Sequence, residues 1–245
     1  MKNTIKHSIG IIVILLSILT IVGSYTEKNA TSRKSGLIKL TPRLDDIFTK
    51  PILKEYLNST TTPTIVLRVP DQSTDILEES KYSNSQIYNT IEKEFAKSGF
   101  VVRDRALFQK VIGQNAVSDY SKIKELTDTD LILEFVNLNT EDKYLTNKYI
   151  DNKGKEKTID GQFVIYGYKV EFKLISVDKN DIVGMYTFYY TPCTNGCHYS
   201  FDESGNIYSD QDKGKTITLP YEFVTNDTLV EFFQQISKKL INELK

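Results

Sequence analysis

The chain has no tryptophan, two cysteines (Cys193 and Cys197) and two histidines (His7 and His198). So few histidines nearly exclude a histidine general base, because His198 has no serine-nucleophile motif beside it and Gly-x-Ser-x-Gly occurs nowhere. No phosphate-cradling loop is present either. Gly205 and Gly214 read as turn glycines, and Lys215 lacks the glycine pattern that should precede it. Charge of one sign is also missing. The net charge is −1 and no long basic stripe is visible, which argues against nucleic acid as a partner. No internal repeat is seen. What is abundant is aromatic: 15 tyrosines and 12 phenylalanines, a composition typical of β-sheet.

The 245 residues are 40% hydrophobic and 26% charged, ordinary for a globular chain. Lys2 and Lys6 precede an uncharged apolar run at 9–22, the n-region and h-region of an export signal. Small residues at 22–24 offer cleavage after Ser24. The alternative is an uncleaved anchor, although a spanning helix needs about 20 apolar residues. Either way, residues 31–245 are expected outside the cytoplasm, in the periplasm or envelope. The expected divisions are 1–24 as signal or anchor, 25–63 as tether with one or two short helices interrupted by Pro51, and 64–245 as a single globular domain.

Residues 64–138 organise that domain. A β-branched run at 64–69 lies between Pro63 and Pro70. Next, Ile87, Ile91 and Phe95 recur at i, i+4 and i+8, one apolar stripe on a helix. Glu92, Lys93, Glu94 and Lys97 are assigned to its wet face, Ser83 or Ser85 to its cap, and Gly99 to the left-handed position past its end. A strand at 100–103 follows. Asp104 then caps a second helix bearing Leu107, Phe108, Val111 and Ile112. A short helical piece at Ile123 and Leu126 leads into 131–138, a run apolar enough for a central strand covered on both faces.

Within this block, Gly99-Phe-Val-Val-Arg-Asp-Arg-Ala-Leu-Phe-Gln-Lys-Val-Ile112 and Lys124-Glu-Leu-Thr-Asp-Thr-Asp-Leu-Ile-Leu133 resemble a bacterial cell-envelope family. Its members are the CsgG-like curli secretion component and the LpoB-like activator of penicillin-binding proteins. Asp104 and Arg105 match the family's acidic-Arg step, and Asp130 matches the Asp before its strand. Thr127-Asp-Thr129 departs from the family's Gly-Ala, and no lipidation cysteine follows the N-terminal apolar run. The resemblance covers about a third of the chain and implies a partner-binding envelope protein.

Residues 139–162 are rich in charge, Asn and Gly, with no apolar period, and read as a long, solvated hairpin connection. Alternation at 163–177, a turn at 178–181 and a return at 182–191 give an antiparallel pair. Residues 198–219 read as a smaller hairpin turning at 202–206. A helix from about Asn226 to Leu244 buries Leu229, Phe232, Phe233, Ile236, Leu240 and Leu244. The fold expected is α/β: a single sandwich with a mixed sheet, a βαβα(α)β core followed by antiparallel strands, and a C-terminal covering helix.

Cys193 and Cys197 flank Thr194-Asn-Gly196. They read as a structural disulfide closing a five-residue loop, with a zinc site using His198 as the alternative. On the neighbouring strand, Tyr186, Phe188 and Tyr190 share one face and are candidates for a partner surface, with packing under the 198–219 hairpin as the alternative. Asp45-Asp46, Glu78-Glu79 and Asp202-Glu203 read as solvated carboxylates. No cofactor is implied, and the oligomeric state is left open. Two functions follow: a non-enzymatic envelope protein that binds a protein partner, or an envelope hydrolase built on a carboxylate pair.

Overall fold

The computed structural model describes residues 33–69, 84–115, 120–208 and 226–245. The N-terminal apolar run, Ser83, Glu78-Glu79 and residues 209–219 therefore lie outside the described residues. Nine strands and five helices are described, in the order β1 Lys34–Ile38, β2 Asp46–Thr49, α1 Pro51–Ser59, β3 Thr64–Arg68, α2 Asn84–Lys97, β4 Val101–Val102, α3 Arg105–Asn115, α4 Tyr120–Thr127, β5 Leu131–Ile150, β6 Glu156–Ser176, β7 Asp181–Tyr190, β8 Cys197–Phe201, β9 Ile207–Tyr208 and α5 Asn226–Leu244. All strands join one mixed sheet, ordered β2-β7-β6-β5-β1-β8-β9, with β3 parallel to both β5 and β4.

The period of two along the central strands puts one set of side chains on each face. Leu67, Leu133, Phe135, Phe172 and Leu174 pack under α2 and α5, which contribute Ile87, Ile91, Phe95, Phe233 and Leu240. Val66, Ile132, Ile175 and Val177 pack on the opposite face with Phe108 of α3 and Ile123 of α4. Strand β5 is therefore buried on both sides over Leu131–Leu133, as a run apolar at nearly every position required. Asp104 caps α3 by accepting the Leu107 N–H at 2.6 Å. Gly99, at φ +93°, ends α2, and the Phe100 N–H returns to the Phe95 carbonyl at 3.2 Å.

Three expectations are corrected. Residues 139–162 are not a solvated loop: β5 and β6 run on as a two-stranded ribbon almost to its tip. Register shifts at Phe135/Asn137, Asn139/Asp142 and Thr146/Lys148 interrupt the alternation that would have announced strands. Tyr144, Tyr149, Ile159, Phe163 and Ile165 of the ribbon close a second small core with Ile38, Tyr199 and Phe201 of β1 and β8. Second, the segment before Pro51 is strand, not helix. Strands β1 and β2 have five and four residues, too short to show a period, and Pro51 opens α1, where its missing N–H costs nothing. Third, Glu94 is not on the wet face. It is 5% exposed, facing α5, where its carboxylate takes Lys97 Nζ at 2.8 Å and Gln234 Nε2 at 3.2 Å. The Lys97 hydrogen bond holds this carboxyl below its ordinary value against the opposing effect of burial.

Candidate functional site

Strand β5 has β6 along one edge. Its other edge is shared: β3 takes Leu131 to Glu134, and β1 takes Ile150 alone, opposite Leu37. Among the described residues no strand lies against 135–149 on that side. The reason is where β1 goes next. Its five residues pair with β8 from Lys34↔Phe201 to Ile38↔Cys197, and the chain follows that partner into the cysteine loop, where the Leu40 N–H donates to the Cys193 carbonyl at 3.2 Å. The sheet therefore has a gap. It forms a cleft of ≈560 Å³ lined by Leu37, Lys39 and Pro42 on one wall and by Tyr144, Leu145 and Tyr149 on the other, with Lys148 and Glu156 at its rim.

The ends of the cleft are closed by β1 and by the strap at 39–45 that follows it. At one end is the Leu37↔Ile150 pair. At the other is Arg43, whose guanidinium donates to Asp142 Oδ2 at 2.6 Å and to the Lys143 carbonyl at 3.4 Å. The same guanidinium lies 4.6 Å from the centre of the Tyr144 ring and 4.9 Å from that of Tyr189. Backbone N–H of Arg43 donates to Thr191 Oγ1 at 3.0 Å, and that hydroxyl donates to Tyr144 Oη at 3.0 Å. Burial pushes the Tyr144 hydroxyl upward, so it stays neutral here through the ordinary pH range. Lys148 and Glu156 pair with each other at 2.8 Å, whereas Lys39 is exposed and has no carboxylate partner among the described residues.

Cys193 and Cys197 form a disulfide. Cys193 at φ 55° and Gly196 at φ 95° make the turn, closed by Gly196 N–H to the Cys193 carbonyl at 2.9 Å. With both sulfurs bonded to each other, no thiolate is available for the zinc alternative in this arrangement, and His198 is exposed. Among the described residues no group of three or more His, Cys, Asp or Glu is placed to hold a metal. Thiol titration of unreduced, denatured protein should find no free thiol. Replacing both cysteines by serine should cost at most about 2 kcal/mol for so short a loop. Its main effect should be faster amide exchange at 39–41 and 193–197, because the Cys193 carbonyl holds Leu40.

Tyr186, Phe188 and Tyr190 do not form a surface. Tyr186 and Phe188 are 1% and 0% exposed, and Tyr190 is half-buried with its ring 5.7 Å from Phe232. The stripe of α5 covers this face, which sequence alone had no means of assigning. Met185 and Phe48, paired across β7 and β2 on the opposite face, are the exposed ones at 54% and 51%. Among the described residues, Asp45-Asp46 and Asp202-Glu203 do not converge as a catalytic set. Asp45 accepts the Tyr189 N–H at 3.1 Å and Lys239 Nζ at 2.7 Å. Asp202 is 5% exposed and holds its turn by accepting Ser204 N–H, Asn206 N–H and Tyr208 Oη at 2.8–3.0 Å. Sequence reasoning missed Arg43 and Lys39 because nothing in a short polar segment says which strand it abandons. The one available signal was Pro42, which cannot donate to a ladder.

The disulfide is of the kind formed and kept in oxidising compartments outside the cytoplasm. No helix among the described residues is long and apolar enough to cross a membrane. No protein-family model matches the chain, and no curated protein matches its sequence. Among solved structures, the chain is similar to a variant of the PelC dodecamer from Paraburkholderia phytofirmans, at 10% identity over 83% of this chain and 99% of that one, with a TM-score of 0.39. A second PelC dodecamer structure from the same organism matches at 9% identity over 82% and 96%, with a TM-score of 0.36. Lipoprotein GNA1162 from Neisseria meningitidis matches at 8% identity over 74% and 99%, with a TM-score of 0.31.

Proposed function

We propose that this chain is an exported, non-enzymatic protein of the cell envelope that acts by binding a protein partner, as an activator of an envelope enzyme or an accessory of secretion or assembly. The observation that carries the reading is the gap in the sheet, a strand edge left open beside a cleft whose lining is part apolar and part cationic. An open edge invites pairing with another chain, and folds usually cover or charge it. The N-terminal charge and apolar pattern and the Cys193–Cys197 bond support export. The resemblance of the block around Asp104, Arg105 and Asp130 to the CsgG-like and LpoB-like family supports the envelope and the partner. If the signal is uncleaved, the N-terminal segment tethers the domain to the membrane.

The test is photo-crosslinking in cells from single positions. A benzoylphenylalanine probe is placed in turn at Leu145 in the cleft, Leu107 on α3 and Phe48 on β2, all exposed. One discrete envelope protein captured from at least one position is the expected result. Full-length protein recovered from the soluble cytoplasm, or no capture from any position, overturns the proposal.

A further inference from the structure

Resting on the protein-binding reading above, we infer that the cleft is a strand-docking groove. It takes a short extended segment of the partner, which pairs with the open edge of β5 at Leu145 and presents an acidic side chain to Lys39.

The occupant follows from the groups left waiting. On an open strand edge the backbone N–H and C=O are met by water, which another strand can replace. Arg43 reaches the Lys143 carbonyl, so the backbone of Lys143 faces the cleft rather than β6. In an antiparallel pair the outward-facing residues alternate, so the N–H and C=O of Leu145 face the same way. Beyond it, the bulge at Thr146/Lys148 covers itself, because the Lys148 N–H folds back onto Thr146 Oγ1 at 3.1 Å. The open edge is therefore short and centred on Leu145. Between its two closures, from Lys143 to Ile150, β5 spans seven residue steps or roughly 23 Å, enough for an added strand of about four or five residues. A volume of ≈560 Å³ suits such a segment and is too small for a folded domain.

The side-chain chemistry narrows the segment further. Tyr144 and Tyr149, 7% and 8% exposed, and the wall at Leu37 give it an apolar floor. Lys148 is answered by Glu156, so the charge left over in the lining is Lys39. An acidic residue among β-branched neighbours complements this set, and a basic one does not.

The probe is the dye-labelled pentapeptide amide Thr-Val-Glu-Val-Thr, acetylated at its N-terminus and titrated into the full chain with anisotropy as readout. Two relatives serve as controls: one with both valine nitrogens methylated, and one with Lys in place of Glu. The unmodified probe should bind. Methylation should weaken binding at least about tenfold, since it removes strand hydrogen bonds and leaves the side chains in place. Lys39 is exposed and unpaired among the described residues, so Lys39→Glu leaves the fold intact. It should reverse the preference between the Glu and Lys probes, by about fivefold for a partly exposed ion pair. No binding of the Glu probe, equal binding of the methylated probe, or an unchanged preference in Lys39→Glu each overturns the groove. The two readings separate cleanly. A partner captured at Leu107 or Phe48 with no peptide binding removes the groove and spares the protein-binding function.

Discussion

Phe135→Ala should lower the free energy of unfolding by about 3–5 kcal/mol, the largest effect expected of a single truncation in this chain. Phe135 is 0% exposed and sits where three elements meet. Its ring is 5.7 Å from Tyr88 of α2, 5.4 Å from Phe172 of β6 and 6.1 Å from Phe233 of α5. The first two contacts are edge-to-face, so removal forfeits aromatic geometry as well as buried area. Collapse around the hole is hindered because the neighbours belong to a sheet and two helices that are each packed elsewhere. Val136, the next residue, is 39% exposed at a register shift, and Val136→Ala should cost well under ~1 kcal/mol. Urea unfolding of both variants measures the difference. A Phe135→Ala cost near that of Val136→Ala would mean that α5 and α2 do not close over the sheet at this point.

That helices α2 and α5 belong over Phe135 was largely legible in sequence. Ile87, Ile91 and Phe95, and Leu229, Phe233, Ile236 and Leu240, keep helical spacing without interruption, and the run at 131–138 has no polar alternation to mislead. The distal half was not legible for an equally physical reason. Its strands carry bulges, and each bulge flips the following side chains to the other face. Tyr144 and Tyr149 therefore share a core although their spacing fits no regular strand. The cleft was illegible altogether, because it is made by an absence of pairing between two segments about a hundred residues apart in sequence. Lys39 and Leu145 are unremarkable in sequence. They matter because β1 stays with β8 and leaves β5. Arg105 lies between these cases. Its place beside a helix start was readable. Its actual partners, the Tyr88 ring at 4.8 Å and Glu92 at 3.3 Å, depended on how α3 lies against α2.

Asp130, one of the residues carrying the family resemblance, should prove an architectural lock whose strength depends on pH. It stands before β5, 9% exposed, and ties the start of that strand to the start of β3. Its Oδ2 accepts the Thr64 N–H at 2.8 Å and lies 2.8 Å from the Thr64 hydroxyl, while Oδ1 takes Lys124 Nζ of α4. Burial alone would raise this carboxyl. The hydrogen bonds from Lys124 and from the Thr64 backbone and hydroxyl outweigh it, and the net shift is downward. A folded-state pKa below the unfolded value means the contribution is fully present above the unfolded value, near 3.9, and is lost as pH falls through the folded one. Asp130→Asn replaces one acceptor oxygen with a donor and leaves the Lys124 ammonium half-buried without its closest carboxylate. At pH 7 this should cost about 2–4 kcal/mol. The gap between wild type and variant should hold from pH 7 to about 5 and narrow below about pH 4, as protonation disarms the wild-type carboxyl. Asp151, on the exposed ribbon turn, is also shifted downward, chiefly by the Lys155 N–H it accepts, so Asp151→Asn should show a gap that narrows in the same direction but starts smaller at pH 7. Urea unfolding at pH 7, 5, 4 and 3 reads both variants. A gap for Asp130→Asn that stays constant down to pH 3 would show that its carboxylate is not held ionised by Thr64 and Lys124.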